Sequence, residues 1–171
     1  KDILDYSNLI ADKTRGFVGR QFVFAAIDQF MASHPSGYFI VRGEPGIGKT
    51  ALAAQLVKTR NCVHHFNIRA EGINKASAFL ANVSAQLIVK YQLDYVTLPP
   101  DATQSGGFLG KKLLAEVAAK LAANEKVLIM VDGLDEVDEV LPGVNRLYLP
   151  TQLPVGVYLV VTTRPGNPLR I

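Results

Sequence analysis

Three short apolar runs limit the fold most tightly. Tyr38 to Val41, Lys126 to Val131 and Val155 to Val161 are apolar almost throughout, with no in-out alternation. Such runs suit strands covered on both faces. Cys62 to Ile68 is β-like as well. Between these runs lie apolar stripes at helical spacing. One falls on Val23, Phe24, Ile27, Phe30 and Met31 within Arg20 to Met31. Others fall on Leu52, Ala53, Leu56 and Val57 within Lys49 to Lys58, and on Phe79, Leu80, Val83, Leu87, Ile88 and Tyr91 within Asn74 to Tyr91. The last takes Leu109, Leu113, Val117 and Leu121 within Phe108 to Ala123. Strands separated by helices imply parallel pairing with right-handed crossovers, hence a three-layer α/β class. Residues 1–16 read as a mixed, polar lead-in with helical character, and 17–171 as the core. His34-Pro35-Ser36-Gly37 closes the first helix, since proline disfavours helix in the residue before it. Gln92 to Gly107, with Pro99-Pro100 and Gly106-Gly107, is a loop.

A chain of 171 residues suits one domain with a sizeable core. Hydrophobic residues make up 49% and charged residues 19%. That bias is expected of a piece of a larger protein, with a face that packs against something else. The net charge is +3 and the basic residues are scattered, so neither nucleic acid nor a membrane surface is expected as a partner. Cys62 is the only cysteine, which excludes an intrachain disulfide and points to a reducing, cytoplasmic compartment. No apolar run is long enough to span a bilayer.

The segment Gly43-Glu44-Pro45-Gly46-Ile47-Gly48-Lys49-Thr50 fits the pattern G-x-x-x-x-G-K-[ST] in full, between an expected strand and an expected helix. Three glycines let the backbone curl so that its N–H groups form a concave anion nest. The next helix points its positive end at the same spot. Lys49 would add a full charge against the β and γ phosphates, and the Thr50 hydroxyl could ligate Mg²⁺. The expected nucleotide-contacting set runs from Gly43 through Ala51.

Val127 to Val131 leads directly into Asp132, an apolar strand ending in a carboxylate. A carboxylate there can hold the Mg²⁺ that bridges the β and γ oxygens. Asp132 and Thr50 are therefore the expected metal-side residues. Gly133 follows, where many phosphate-loop ATPases carry a water-activating glutamate. Asp135 and Glu136 come shortly after, and Glu136 is preferred to orient the attacking water. Their other reading is as helix N-terminal acids.

Asp132-Gly133-Leu134-Asp135-Glu136 resembles the NACHT-like branch of the STAND NTPases, bacterial type. Three further stretches agree with that resemblance. Phe17-Val18-Gly19-Arg20 looks like the family's hydrophobic-hydrophobic-Gly-Arg motif. Tyr158 to Val161 with Thr162-Thr163-Arg164-Pro165 looks like its sensor 1 strand and arginine. Leu147-Tyr148-Leu149-Pro150 to Leu153-Pro154 is similar to the approach to that strand. The resemblance implies a three-layer α/β/α P-loop NTPase of ASCE-like type with a mainly parallel sheet, and ATP or ADP with Mg²⁺ as cofactors. It implies that Val18, Gly19 and Arg20 lie near the base and ribose, and that Arg164 senses the γ-phosphate. The expected catalytic set is Lys49, Asp135, Glu136 and Arg164. The implied function is a signal-transduction switch with slow hydrolysis and self-association in the ATP state. ATP is preferred over GTP on the resemblance alone, and no N-K-x-D segment favours guanine.

Members of that family continue past the sensor strand with a fifth strand, a helical lid, a winged helix and sensor repeats. The chain is accordingly expected to be truncated after the sensor 1 strand, with those parts as partners. If the strand order follows the family, the sensor strand lies between the strand before the glycine-rich loop and the strand ending in Asp132, leaving the former as an edge. Two other functions compete: a nucleotide-binding scaffold without hydrolysis, and a P-loop kinase, for which no acceptor motif or Arg-rich lid is visible. The adjacent His64 and His65 face opposite sides of a strand and lack further ligands for zinc. Cys62 is read as a small buried hydrophobe.

Overall fold

The structure, a computed structural model, describes residues 2–44, 46–138, 145–166, 169 and 171. Four strands form one sheet: β1 (Gly37–Arg42), β2 (Val63–Phe66), β3 (Val127–Asp132) and β4 (Val157–Thr163). Their order is β1-β4-β3-β2 and every pairing is parallel. β4 therefore lies between β1 and β3, and β1 is an edge of the described sheet, as expected. The helices are α1 (Ser7–Thr14), α2 (Gln21–Ser33), α3 (Lys49–Arg60), α4 (Ala76–Lys90) and α5 (Leu114–Ala119).

The apolar runs lack alternation because each face of the sheet meets its own helical layer. Val127, Ile129 and Val131 of β3 join Val157, Leu159 and Val161 of β4 in a core with Phe79, Leu80, Val83 and Leu87 of α4 and Leu114 and Val117 of α5. The intervening Leu128, Met130, Tyr158 and Val160 face the other way, onto Ile27 of α2 and Ala53, Leu56 and Val57 of α3. The result is a three-layer α/β/α fold. Burying one such side chain contributes roughly 1.5–3 kcal/mol, so the two cores are the main source of stability.

Local signals explain most boundaries. α2 ends at His34, which is extended (φ −127°, ψ 145°) ahead of Pro35. α3 ends on Asn61 in the left-handed region, whose N–H donates to Val57 O at 2.8 Å. Two expectations need correction. The helix expected over Phe108 to Ala123 begins as a π-helix at Phe108–Leu113 and ends as α5 at Ala119. Glycine disfavours α winding, and Gly110 packs on Pro150, where a Cβ would make an ordinary contact at 3.5 Å. The strand expected over Cys62 to Ile68 is only four residues long.

The lead-in segment is not loose. Tyr6 is 5% exposed and its hydroxyl donates to Phe66 O at 2.9 Å, while Leu4 N–H donates to Asn82 Oδ1 at 2.9 Å. These bonds seat α1 across the α3 side of the sheet, beside the carboxyl end of β2. Among the described residues no helix is long and apolar enough to cross a membrane.

Candidate functional site

Parallel strands bring their carboxyl ends to one edge, and ligands of open α/β sheets bind there. Here the turn after β1, the end of β3, the end of β2 and the end of β4 share that edge. They enclose a cavity of about 640 Å³ lined by both the glycine-rich loop and the acidic turn after β3. Gly46, Gly48, Lys49, Thr50 and Ala51 line it from the loop side, Asp132, Asp135, Glu136 and Arg164 from the strand side. These nine positions, all read from the sequence, meet in one place.

The loop is tightly folded. Gly46 and Gly48 have φ of 86° and 93°, and a Cβ on Gly43 would stand 2.1 Å from Ile47 Cδ1. Only glycine fits Gly43 without displacing Ile47. Lys49 curls back over the loop, its Nζ donating to Gly43 O at 2.5 Å and to Glu44 O at 3.2 Å. Pro45 lies outside the described residues.

Asp132 sits at the cavity floor, 2% exposed. Thr50 Oγ1 donates to its Oδ2 at 3.0 Å, and Thr162 Oγ1 donates to its Oδ1 at 2.5 Å. Thr162 in turn accepts the Gly133 N–H at 2.9 Å. Burial pushes the Asp132 carboxyl up to about 6 from 3.8, against the two threonine hydroxyls, which pull it down; Glu136 and Asp135 add a smaller upward push. An opposing cation at this spot would relieve that cost.

The two acids beyond Gly133 are held apart from Asp132. Gly133 is left-handed (φ 78°), and a three-residue 3₁₀ turn, Leu134–Glu136, follows. Asp135 Oδ2 pairs with Arg164 Nε at 3.1 Å, while Asp135 Oδ1 is buried with no hydrogen-bond partner. Glu136 Oε1 accepts the Arg69 N–H at 3.2 Å, and Arg69 Nε donates to Glu136 O at 3.2 Å.

Arg20 is not among the cavity-lining residues; it is left-handed (φ 64°) and its Nη2 donates to Ile47 O of the loop. Val18 is 85% exposed, and neither it nor Gly19 lines the cavity. The sequence reading missed four residues. Lys13 and Arg69 line the cavity. Asn67, 1% exposed, donates both its N–H and its Nδ2 to Asp132 O at 3.0 Å. Thr162 braces the Asp132 carboxylate. The register Phe66↔Asp132 puts the polar residues just past β2 beside the acidic turn, a pairing that no local sequence signal gives.

The donor set can be tested for a metal ion. Among the described residues there is no cluster of three or more His, Cys, Asp or Glu suited to hold an ion by itself. A single buried carboxylate beside a hydroxyl is instead what Mg²⁺ takes when phosphate oxygens and water complete its shell. The unpartnered Asp135 Oδ1 and the four lining cations fit the same combination of anion, metal and water. Elsewhere, burial raises the Cys62 thiol to about 11, in keeping with a small hydrophobe. Burial likewise lowers His65 to about 4; it packs between Tyr6, Asn82 and Phe79.

A family model described as Nephrocystin 3, N-terminal, matches residues 24–164. That span runs from α2 through all four strands to Arg164 and leaves Phe17–Arg20 outside. A mouse (Mus musculus) protein, NACHT domain- and WD repeat-containing protein 1, is 26% identical over 171 aligned residues that cover 91% of this chain. The chain spans 11% of the length of that relative.

Proposed function

The chain belongs to the nephrocystin 3 N-terminal family and is related to a NACHT-containing protein, and from that premise we propose that it is an ATP- and Mg²⁺-binding switch module with slow hydrolysis. One observation carries the proposal: the 3.0 Å bond from Thr50 Oγ1 to Asp132 Oδ2, which ties the start of α3 to the end of β3 across the cavity floor. A hydroxyl and a carboxylate from two distant segments, both beside a lysine and a glycine-rich turn, answer the needs of a metal-bound polyphosphate.

The residues divide the work as follows. The amides of Gly46 to Thr50 receive the phosphate oxygens at the positive end of α3. Lys49 Nζ leaves the two loop carbonyls it now serves and donates to the β and γ oxygens. The Thr50 hydroxyl and the Asp132 carboxylate would hold the Mg²⁺, with Thr162 fixing the orientation of the carboxylate. Mg²⁺, when bound, would neutralise phosphate charge. Arg164, on the strand beside the loop, trades its partner Asp135 for the γ-phosphate. Asp135 and Glu136 then face the attacking water, with Glu136 held in place by Arg69. Arg20 supports the loop by donating to Ile47 O, and Val18 and Gly19 follow it at the base side.

Phosphate release over long incubation tests the hydrolytic part. Slow release that Lys49→Ala abolishes supports it; uptake of ATP without release leaves a non-hydrolysing scaffold. The second reading has its own support: Gly133 replaces the adjacent acid, and both later acids are engaged by Arg164 and Arg69. Self-association in the ATP state, and docking against a lid, a winged helix and sensor repeats elsewhere in a larger protein, are further parts of the proposal. Light scattering with ATP and with ADP reads the first of them.

A further inference from the structure

We infer that the N-terminal helix α1 is a wall of the nucleotide site and that Lys13 contacts the polyphosphate. The inference rests on the ATP-binding reading above and adds to it a residue and an element that the glycine-rich loop does not contain. Lys13 stands on the last turn of α1 and lines the same cavity as Lys49, Thr50 and Asp132.

The charges around the cavity single it out. Four cations line it: Lys13, Lys49, Arg69 and Arg164. Lys49 is engaged by the carbonyls of Gly43 and Glu44, Arg69 by Glu136, and Arg164 by Asp135. Among the described residues Lys13 makes no hydrogen bond or ion pair, although its neighbour Arg15 pairs with Asp12 at 3.2 Å. Of the carboxylates lining it, Asp135 pairs through Oδ2 with Arg164, Glu136 accepts the Arg69 backbone N–H through Oε1, and Asp132 is buried beneath two hydroxyls. Lys13 is thus a positive charge at the cavity wall that no carboxylate pairs with among the described residues. A triphosphate supplies an anion for it.

The helix that carries Lys13 is held in place. α1 packs on α3, the helix that opens at Lys49. Its leading end is pinned by Tyr6 to Phe66 O and by Leu4 to Asn82, and Phe66 is paired in register with Asp132. Seven residues beyond Lys13, Arg20 donates to Ile47 O of the loop. Lys13 and Arg20 thus both stand by the start of α3, Lys13 at the cavity wall and Arg20 on the loop carbonyl. With the backbone under Lys13 fixed, only its side chain has to be ordered when an anion arrives.

A competing role needs separating. A lysine at the carboxyl end of a helix also complements the helix dipole. In that role its loss would lower the stability of the ligand-free chain and leave nucleotide affinity alone. The test is calorimetric titration of the chain with ATP and Mg²⁺, for the parent, Lys13→Met and Lys13→Arg, together with thermal unfolding without nucleotide. Lys13→Met keeps the apolar stem and removes the charge. The inference expects it to weaken ATP binding about tenfold, the value of one charge-assisted contact, with Lys13→Arg close to the parent and ligand-free unfolding unchanged. If the parent binds ATP and Lys13→Met matches it within about twofold, the inference is overturned and the nucleotide reading stands. If affinity falls only together with ligand-free stability and Lys13→Arg does not restore it, the role is structural and the inference is overturned as well. A parent that takes up no ATP removes both.

Discussion

Asp132→Asn should make the ligand-free protein more stable at neutral pH while removing its hold on magnesium. Burial raises the folded-state pKa of Asp132 to about 6 from 3.8. The folded protein thus binds this proton more tightly than the unfolded chain does. The stability that this proton contributes is whole below the unfolded value near pH 4, and it is lost as the pH climbs through about 6. A displacement of roughly two units at 1.36 kcal/mol each amounts to about 3 kcal/mol. Asparagine has the same shape and no charge to desolvate. Its Oδ1 can still accept from Thr162, and the Thr50 hydroxyl can rotate to accept from the new amide. The stability difference between variant and parent should therefore grow by about 3 kcal/mol in favour of asparagine between pH ~4 and pH ~7.5. Urea unfolding without nucleotide, at constant ionic strength over that range, measures it. ATP and Mg²⁺ should reverse the order, since in the proposed function only the aspartate would hold the metal. A difference that stays flat across the range would refute the reasoning, because it would mean that the carboxylate is not desolvated at the cavity floor.

Lys49→Ala should cost about a hundredfold in triphosphate affinity, equivalent to ~3 kcal/mol, measured by titration. Gly133→Ala forces a left-handed alanine whose Cβ meets Asn67 O at 3.0 Å and Glu136 Oε2 at 3.3 Å, so denaturant unfolding should show a loss of about 1–2 kcal/mol. Arg164→Ala leaves Asp135 with no charge partner and should slow phosphate release more than it weakens ADP binding, as read by a turnover assay beside an ADP titration. Tyr6→Phe removes the bond to Phe66 O and should lower stability by about 1 kcal/mol, seen in the same unfolding assay.

The layers of the fold were legible because the apolar runs and stripes are physical necessities of a sheet covered on both faces. Val127, Ile129 and Val131 go one way and Leu128 and Met130 the other, so neither set could be polar. The strand order came from the family resemblance and agrees with the observed β1-β4-β3-β2. The site was legible where the residues that meet are contiguous: Gly43 to Thr50 follows one strand and Asp132 ends another. Asn67 and Arg69 were not, because their position depends on the Phe66↔Asp132 register, which no local pattern encodes. Thr162 was read only as part of the motif before Arg164, and its bond to Asp132 emerges only when β3 and β4 pair. Lys13 escaped because a polar lead-in carries no periodic signal strong enough to reveal that Tyr6 anchors it. The π turn at Phe108–Leu113 was hidden for a similar reason: apolar residues four apart suit an α-helix, and the packing of Gly110 on Pro150 is a tertiary fact.

Calorimetric titration of the chain with ATP, with and without Mg²⁺, tests the central claim most directly. The account predicts saturable one-to-one uptake that needs Mg²⁺ for full affinity and disappears in Lys49→Ala. Absence of uptake by the parent, or equal uptake by Lys49→Ala, would contradict it.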